Sequence, residues 1–327
     1  MRRKALSSGW LALFVILLVG AVAGLACWQF LRPSSPRSMR FLVRAGQGVG
    51  VIGDSLQVRG VISSSLVFNV LARLTGIDRS VKPGRYLLPE RASEYRVLQL
   101  LSRGGQQPVL VTIPEGFTLR QIAVRLAREE VCDSLSFLTA CQDAALLRRV
   151  GIPGASAEGY LFPDSYLLPY GVEPAGVIQT MHRRFLEVAK TLVPDPRSLT
   201  PDLVILASLV EAEAEQDTER PLVASVFLNR LKRGMRLQSC ATVEYVLPER
   251  KAVLSQADTR LESPYNTYLH AGLPPGPICS PGKPSLQAAL HPARTNYLFF
   301  VAKGGGRHHF SSSFDEHSAA QRRSGQR

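Results

Sequence analysis

Two glutamates, Glu211 and Glu213, close an otherwise apolar stretch that reads Leu203-Val-Ile-Leu-Ala-Ser-Leu-Val-Glu-Ala-Glu213. A carboxyl group among aliphatic side chains resists ionisation, and an acid that keeps its proton near neutral pH can act as a general acid. Thr200-Pro201-Asp202 precedes the stretch: a hydroxyl cap, a proline at the first helical position and an acid in the first turn. A helix is therefore expected from there. Its first turns are apolar on nearly every side, which predicts a helix running through a core rather than lying on one.

Helix geometry limits what the two acids can do together. Residues two apart are turned by ~200° and point to nearly opposite sides. Carboxylates that work as a pair across one glycosidic bond stand about 5 Å apart in retaining enzymes and about 6.5–9.5 Å apart in inverting ones. Glu211 and Glu213 cannot be such a pair, so one acts alone or a partner comes from elsewhere. Glu213 stacks over Leu206, Leu209 and Val210, whereas Glu211 stacks over Val204, Ala207 and Ser208. The bulkier column favours Glu213 as the acid with the raised pKa. A pair of surface acids near a helix end would show the same spacing. After a polar break a second helix follows, with Lys232 and Arg233 in its last turn and Gly234 just past it.

Several elements must position these groups. Residues 1–10 carry Arg2, Arg3 and Lys4 and are expected to be cytoplasmic; residues 11–31 form an uncharged apolar run. About twenty such residues suffice for a transmembrane helix. Ala21-Val22-Ala23 could be a signal cleavage site, but the run continues well past it, so an uncleaved anchor is expected. Residues 32–40 read as a polar linker. Residues 41–107 have the pattern strand–helix–helix–strand–helix, a small α+β module. Residues 108–327 form a larger α+β domain that begins with a strand, a turn at Ile113-Pro-Glu-Gly116 and a helix capped near Thr118. The formal charge of +13 suits a protein beside an acidic surface, such as phospholipid headgroups or an acidic polymer. No basic run with interleaved aromatics points to nucleic acid. Cys132 and Cys141 are close in sequence and would pair or remain buried thiols. Neither Gly-x-Ser-x-Gly nor His-Glu-x-x-His occurs, and His308 and His309 lack a carboxylate or cysteine at helical spacing, so no metal and no cofactor are expected.

Four further segments are dense in glycine, proline and aromatics: residues 158–166, 234–245, 263–282 and 292–302. Such segments form shaped loops over a scaffold. Amides and tyrosines on proline-braced loops suit a carbohydrate groove, with Gln238, Ser239, Tyr265, Asn266 and Tyr268 as the candidates for lining it. A turn-rich fold whose tyrosines only pack is the alternative.

In this order the motifs resemble the endolytic murein transglycosylase family, also called YceG-like or MltG-like. The matching pieces are the apolar N-terminal run, a LysM-like small module, Ile113 to Gly116, Glu158 to Tyr166, Leu206 to Glu213, Val223 to Leu231, Gly234 to Tyr245, Ser263 to Gly282 and Pro292 to Ala302. The resemblance implies a membrane-anchored lytic transglycosylase, single-pass in the inner (plasma) membrane, with its YceG-like catalytic domain on the periplasmic side. Its substrate would be peptidoglycan glycan strands and its partners peptidoglycan synthases. The second glutamate of Glu-x-Glu is the family's catalytic acid, which falls on Glu213 and leaves Glu211 a supporting role. That acid protonates the bond between N-acetylmuramate and N-acetylglucosamine, then takes the proton of the muramate 6-hydroxyl as a 1,6-anhydro ring closes. The family usually has Asp-Pro where this chain has Cys240-Ala241, so a loop carboxylate is absent. A non-catalytic anchored glycan-binding scaffold is the rival reading.

Overall fold

The computed structural model describes residues 8–32, 35, 38–105, 108–195, 198–249, 251 and 254–323. The chain divides into two compact units: residues 1–109 with 168–173, and residues 110–167 with 174–327. The short return of residues 168–173 to the first unit is not legible in the sequence. There, Ala45 donates its backbone N–H to Gly171 O at 2.6 Å and Arg85 lies over the Tyr170 ring.

In the first unit, helix α1 (Ser8–Leu31) precedes β1 (Met39–Val43), α2 (Val49–Val58), α3 (Ser65–Leu74), β2 (Gly84–Leu88) and α4 (Glu94–Arg103). This is the order expected from the spacing. Strands β1 and β2 pair antiparallel, Met39 opposite Leu88 and Val43 opposite Gly84. Alternation along β1 turns Phe41 and Val43 into a core shared with Ile52, Leu56, Phe68 and Leu98. Most of the membrane-span expectation falls on α1. Among the described residues no helix is long and apolar enough to cross a membrane. Within α1, the side chains at positions 8, 9, 11, 22, 23, 26, 27 and 29 lie outside the description. So do positions 1–7 and 33, 34, 36 and 37, which hold much of the expected cytoplasmic end and linker.

The second unit begins with β3 (Val109–Thr112), which pairs with β4 (Ser165–Leu168). Between them lie α5 (Leu119–Arg128), α6 (Ser134–Ala140) and α7 (Ala144–Val150). Thr118 caps α5 in a reciprocal box with Gln121, as the turn before it suggested. Then come α8 (Pro174–Leu192), α9 (Pro201–Glu213), α10 (Arg220–Lys232), α11 (Cys240–Val246) and α12 (Lys283–Leu290). The unit closes with the antiparallel hairpin β5 (Phe299–Gly304) and β6 (Arg307–Ser311) and with α13 (Phe314–Arg323).

Helix α9 is the axis of this unit. Thr200 Oγ1 caps Leu203 N–H, Pro201 takes the first position, and all seven residues from Val204 to Val210 are buried. Burial on every side follows from the unbroken apolar run, and α10, α11 and α12 pack around it. Ser208, the only hydroxyl in that run, accepts Ile278 N–H at 3.1 Å and so holds the proline-rich loop against the helix. The 158–166 loop meets the same place. Gly159 has φ +81, and a Cβ there would lie 2.4 Å from Pro277 Cβ, so only glycine fits. Cys132 and Cys141 are buried free thiols, which decides between the two readings the sequence left open.

Candidate active site

The end of α9 separates two cavities. One, of about 410 Å³, is lined by Glu213, Arg230, Leu237, Gln238, Cys240, Tyr268, His308 and His317 together with residues of β5. The other, of about 420 Å³, is lined by Glu115, Phe117, Arg120, Glu211, Ala212, Glu244 and Tyr245 among others. The two acids of α9 therefore face different spaces, as their turn about the helix axis requires.

Glu213 touches the first cavity but is otherwise enclosed. Ser239 Oγ donates to its Oε1 at 2.5 Å, and the Ala241 backbone N–H also donates to the carboxylate. Desolvation raises the Glu213 pKa, against the lowering pull of these two donors and of nearby His308, while Glu244 pushes it further up. The net result is an acid biased toward its protonated form and open to a cavity.

The loop before α11 is built to place Ser239. Gln238 stands at φ +48, a left-handed conformation unusual outside glycine, and its N–H donates to Thr267 O at 3.1 Å. Ser239 is buried, 3 % exposed, with its N–H on Thr267 Oγ1 at 3.0 Å; Thr242 Oγ1 joins the same threonine at 2.9 Å. The helix start thus rests on a hydroxyl network, and its backbone aims one N–H at Glu213. Cys240 is exposed on the cavity wall, with its sulfur 3.1 Å from Tyr268 Oη.

Glu211 has a different environment. Arg220 Nη1 lies 3.2 Å from its Oε1, with both side chains 6 % exposed, and Gly282 N–H donates to Oε2 at 2.8 Å. Arg220 also reaches Asp217 at 2.9 Å and Ser285 Oγ at 2.5 Å. This network ties α9 to α10 and to the first turn of α12.

Of the five residues expected to line a groove, Gln238 and Tyr268 do so at Glu213, and Ser239 touches the acid itself. Tyr265 and Asn266 are not among the residues lining either cavity. Asn266 is fully buried: its Nδ2 donates to Thr259 O and Leu261 O, and its Oδ1 accepts Tyr268 N–H. It braces the loop that carries Tyr268. Tyr265 packs on Tyr245 with ring centroids 4.9 Å apart.

Three cavity residues carried no local signal for this role. Arg230 is buried on α10 and donates Nε to Leu298 O at 2.6 Å and Nη1 to Leu237 O at 2.7 Å; burial lowers its pKa. His308 on β6 and His317 on α13 reach the cavity from the C-terminal hairpin and helix. Their distance in sequence from Glu213 hides the arrangement, and no helical or strand period links them to it.

Fold and site together define a mixed α/β protein that holds one desolvated, protonatable carboxyl on the wall of a polar cavity. The chain belongs to the YceG-like family, whose sequence profile matches residues 41–323. It is 30 % identical over 308 residues to the endolytic murein transglycosylase of Bacillus subtilis (strain 168), covering 88 % of this chain and 85 % of that one. It is also 30 % identical over 340 residues to the endolytic murein transglycosylase of Streptococcus pneumoniae (strain ATCC BAA-255 / R6). That match covers 91 % of this chain but 61 % of the longer relative. Among solved structures, a YceG-like protein from Listeria monocytogenes matches with a TM-score of 0.59 and 28 % identity, covering 88 % of this chain and all of that one.

Proposed function

We propose that the protein is an endolytic peptidoglycan lytic transglycosylase. It cleaves the N-acetylmuramate–N-acetylglucosamine bond within nascent glycan strands, leaves 1,6-anhydro-muramate ends and so terminates elongation. The observation that carries this reading is the desolvated carboxyl of Glu213, at the second glutamate of the family's Glu-x-Glu, on the wall of a cavity of about 410 Å³. Glu213 gives its proton to the glycosidic oxygen as the bond to the muramate anomeric carbon breaks. The 6-hydroxyl of the same sugar attacks that carbon, so the nucleophile is held by the substrate at high effective concentration. Ser239 Oγ and the Ala241 N–H stabilise the carboxylate that remains. Gln238 and Tyr268 line the same wall and contact the strand, while Glu211 holds the helix end in place.

The apolar run of residues 11–31 has no charged side chain and, read from the sequence, has the length that a bilayer-spanning helix needs. It anchors the protein in the plasma membrane, with the catalytic unit on the outer side near the peptidoglycan synthases. Residues 41–107 serve as a LysM-like module. In the test, full-length protein in detergent digests purified peptidoglycan and the products are weighed by mass spectrometry. Wild type yields 1,6-anhydro ends and Glu213→Gln does not. Reducing ends alone would make the protein a hydrolase, and no cleavage by wild type would make it a glycan-binding scaffold.

A further inference from the structure

Ring closure requires that the 6-hydroxyl lose a proton, and the cavity holds a second group built for that step. His308 lines it together with Glu213. Its Nδ1 lies 2.8 Å from Glu219 Oε2, and the same carboxylate accepts the His308 backbone N–H at 3.0 and 3.1 Å. Both side chains are 12 % exposed. A carboxylate can only accept, so Nδ1 carries a hydrogen, and the tautomer this selects has its lone pair on Nε2. That atom has no hydrogen-bond partner among the described residues, and it is not one of their sealed, unpartnered polar atoms. The atom is therefore not sealed, and its residue lines the cavity. The ring is also fixed sideways, edge-on to Phe300 at 5.3 Å and to Phe310 at 6.2 Å.

We propose that His308, oriented by Glu219, is the base that takes the proton of the 6-hydroxyl, so that Glu213 and His308 divide acid and base between them. This rests on the transglycosylase reading. The glycosidic C1–O bond breaks, its electron pair leaves on the N-acetylglucosamine oxygen, and that oxygen takes the Glu213 proton. The O6–C1 bond forms as Nε2 accepts the hydrogen of O6. The cavity then holds a Glu213 carboxylate and a His308 imidazolium, and transfer of one proton between them through solvent resets both. Glu213 is the poorer choice as base because two donors, Ser239 Oγ and Ala241 N–H, already occupy its carboxylate. The arrangement of carboxylate, imidazole and reacting hydroxyl follows the general logic of an oriented base.

His317 lines the same cavity and is the internal control. Its Nδ1 is sealed without a partner and its ring stacks on Phe299, so no carboxylate sets its tautomer.

Full-length protein in detergent is assayed on uncrosslinked peptidoglycan strands for the rate of 1,6-anhydro ends. His308→Gln keeps a donor for Glu219 and should lose ~10²–10⁴-fold in kcat, with KM within about threefold of wild type. His317→Gln should lose less than about tenfold. Added imidazole should restore turnover to His308→Ala and not to Glu213→Ala, a rescue that a purely structural role would not give. A folded His308→Gln within about threefold of wild type overturns the proposal and returns both steps to Glu213. Should the His308 variants fail to melt cooperatively, Glu219→Gln decides, because it keeps the ring in place and removes the charge. A loss below about threefold there overturns the proposal too. Failure of the transglycosylase reading looks different: wild type makes no anhydro ends, or Glu213→Gln retains them.

Discussion

Glu211 turns toward Arg220, the Gly282 N–H and the start of α12; Glu213, at the next alternate position, turns toward a cavity, where a hydroxyl and a backbone N–H donate to it and His308 and the buried Arg230 guanidinium stand farther off. One acid is a charged cross-link between helices. The other has no cation at ion-pair distance among the described residues, and burial pushes it toward its protonated form. Both are glutamates at the end of the same helix. The difference lies in what packs against each side: a guanidinium on α10 in direct ion pairing for one, the mouth of a cavity for the other, where the α10 guanidinium of Arg230 donates to the Leu298 and Leu237 carbonyls.

Four variants break or sharpen that contrast. The largest effect belongs to Glu213→Gln, which should leave the circular dichroism spectrum intact and cut anhydro-end formation by ~10²–10⁴-fold. Glu211→Gln in the same assay should cost less than about tenfold, and equal losses would abolish the distinction between the two acids. The next effect is on stability. Glu211→Gln leaves Arg220 buried with Asp217 as its remaining carboxylate, and chemical denaturation should show a loss of about 3 kcal/mol. Third, the double substitution Glu211→Met with Arg220→Met removes both charges and should regain at least about 1 kcal/mol over Glu211→Gln. A double variant less stable than the single would mean that the pair stabilises by more than mutual neutralisation. The smallest effect is a displaced pH profile. Ser239 holds the Glu213 pKa down, so Ser239→Ala should let it rise further. Activity needs the protonated acid and falls as pH increases through that pKa, so the alkaline limb of kcat/KM should move to higher pH. A limb that moves to lower pH would mean that Ser239 does not stabilise the carboxylate.

Much of the α9 side of this contrast was legible in the sequence. Thr200-Pro201-Asp202 and an apolar run without a polar face specify a capped, buried helix, and the helical turn per residue alone sends Glu211 and Glu213 apart. The opposite wall was not. Arg230, His308 and His317 come from α10, β6 and α13, and only tertiary packing brings them to one cavity. Asn266 shows the other kind of difficulty. A polar amide on a proline-flanked loop looks the same in sequence whether it faces a sugar or, as here, the carbonyls of Thr259 and Leu261. The fate of Glu211 was likewise half readable: its direction followed from the helix, but its cation, Arg220, lay across a break whose path the sequence did not specify.

Cys240 gives the cavity a chemical handle. Of the described cysteines, Cys132, Cys141 and Cys279 are buried, and Cys240 alone is exposed, on the wall it shares with Glu213. Burial pushes its thiol pKa up, against the bond to Tyr268, so alkylation should be slow at neutral pH and quicken as the solution is made alkaline. A maleimide or an iodoacetamide would then mark Cys240 ahead of the three buried thiols, and a strand lying in the cavity would shield it. The labelling rate thereby becomes an occupancy meter for an enzyme whose natural polymer is hard to titrate, and the same sulfur offers a tether for fragments that fill the space beside the acid.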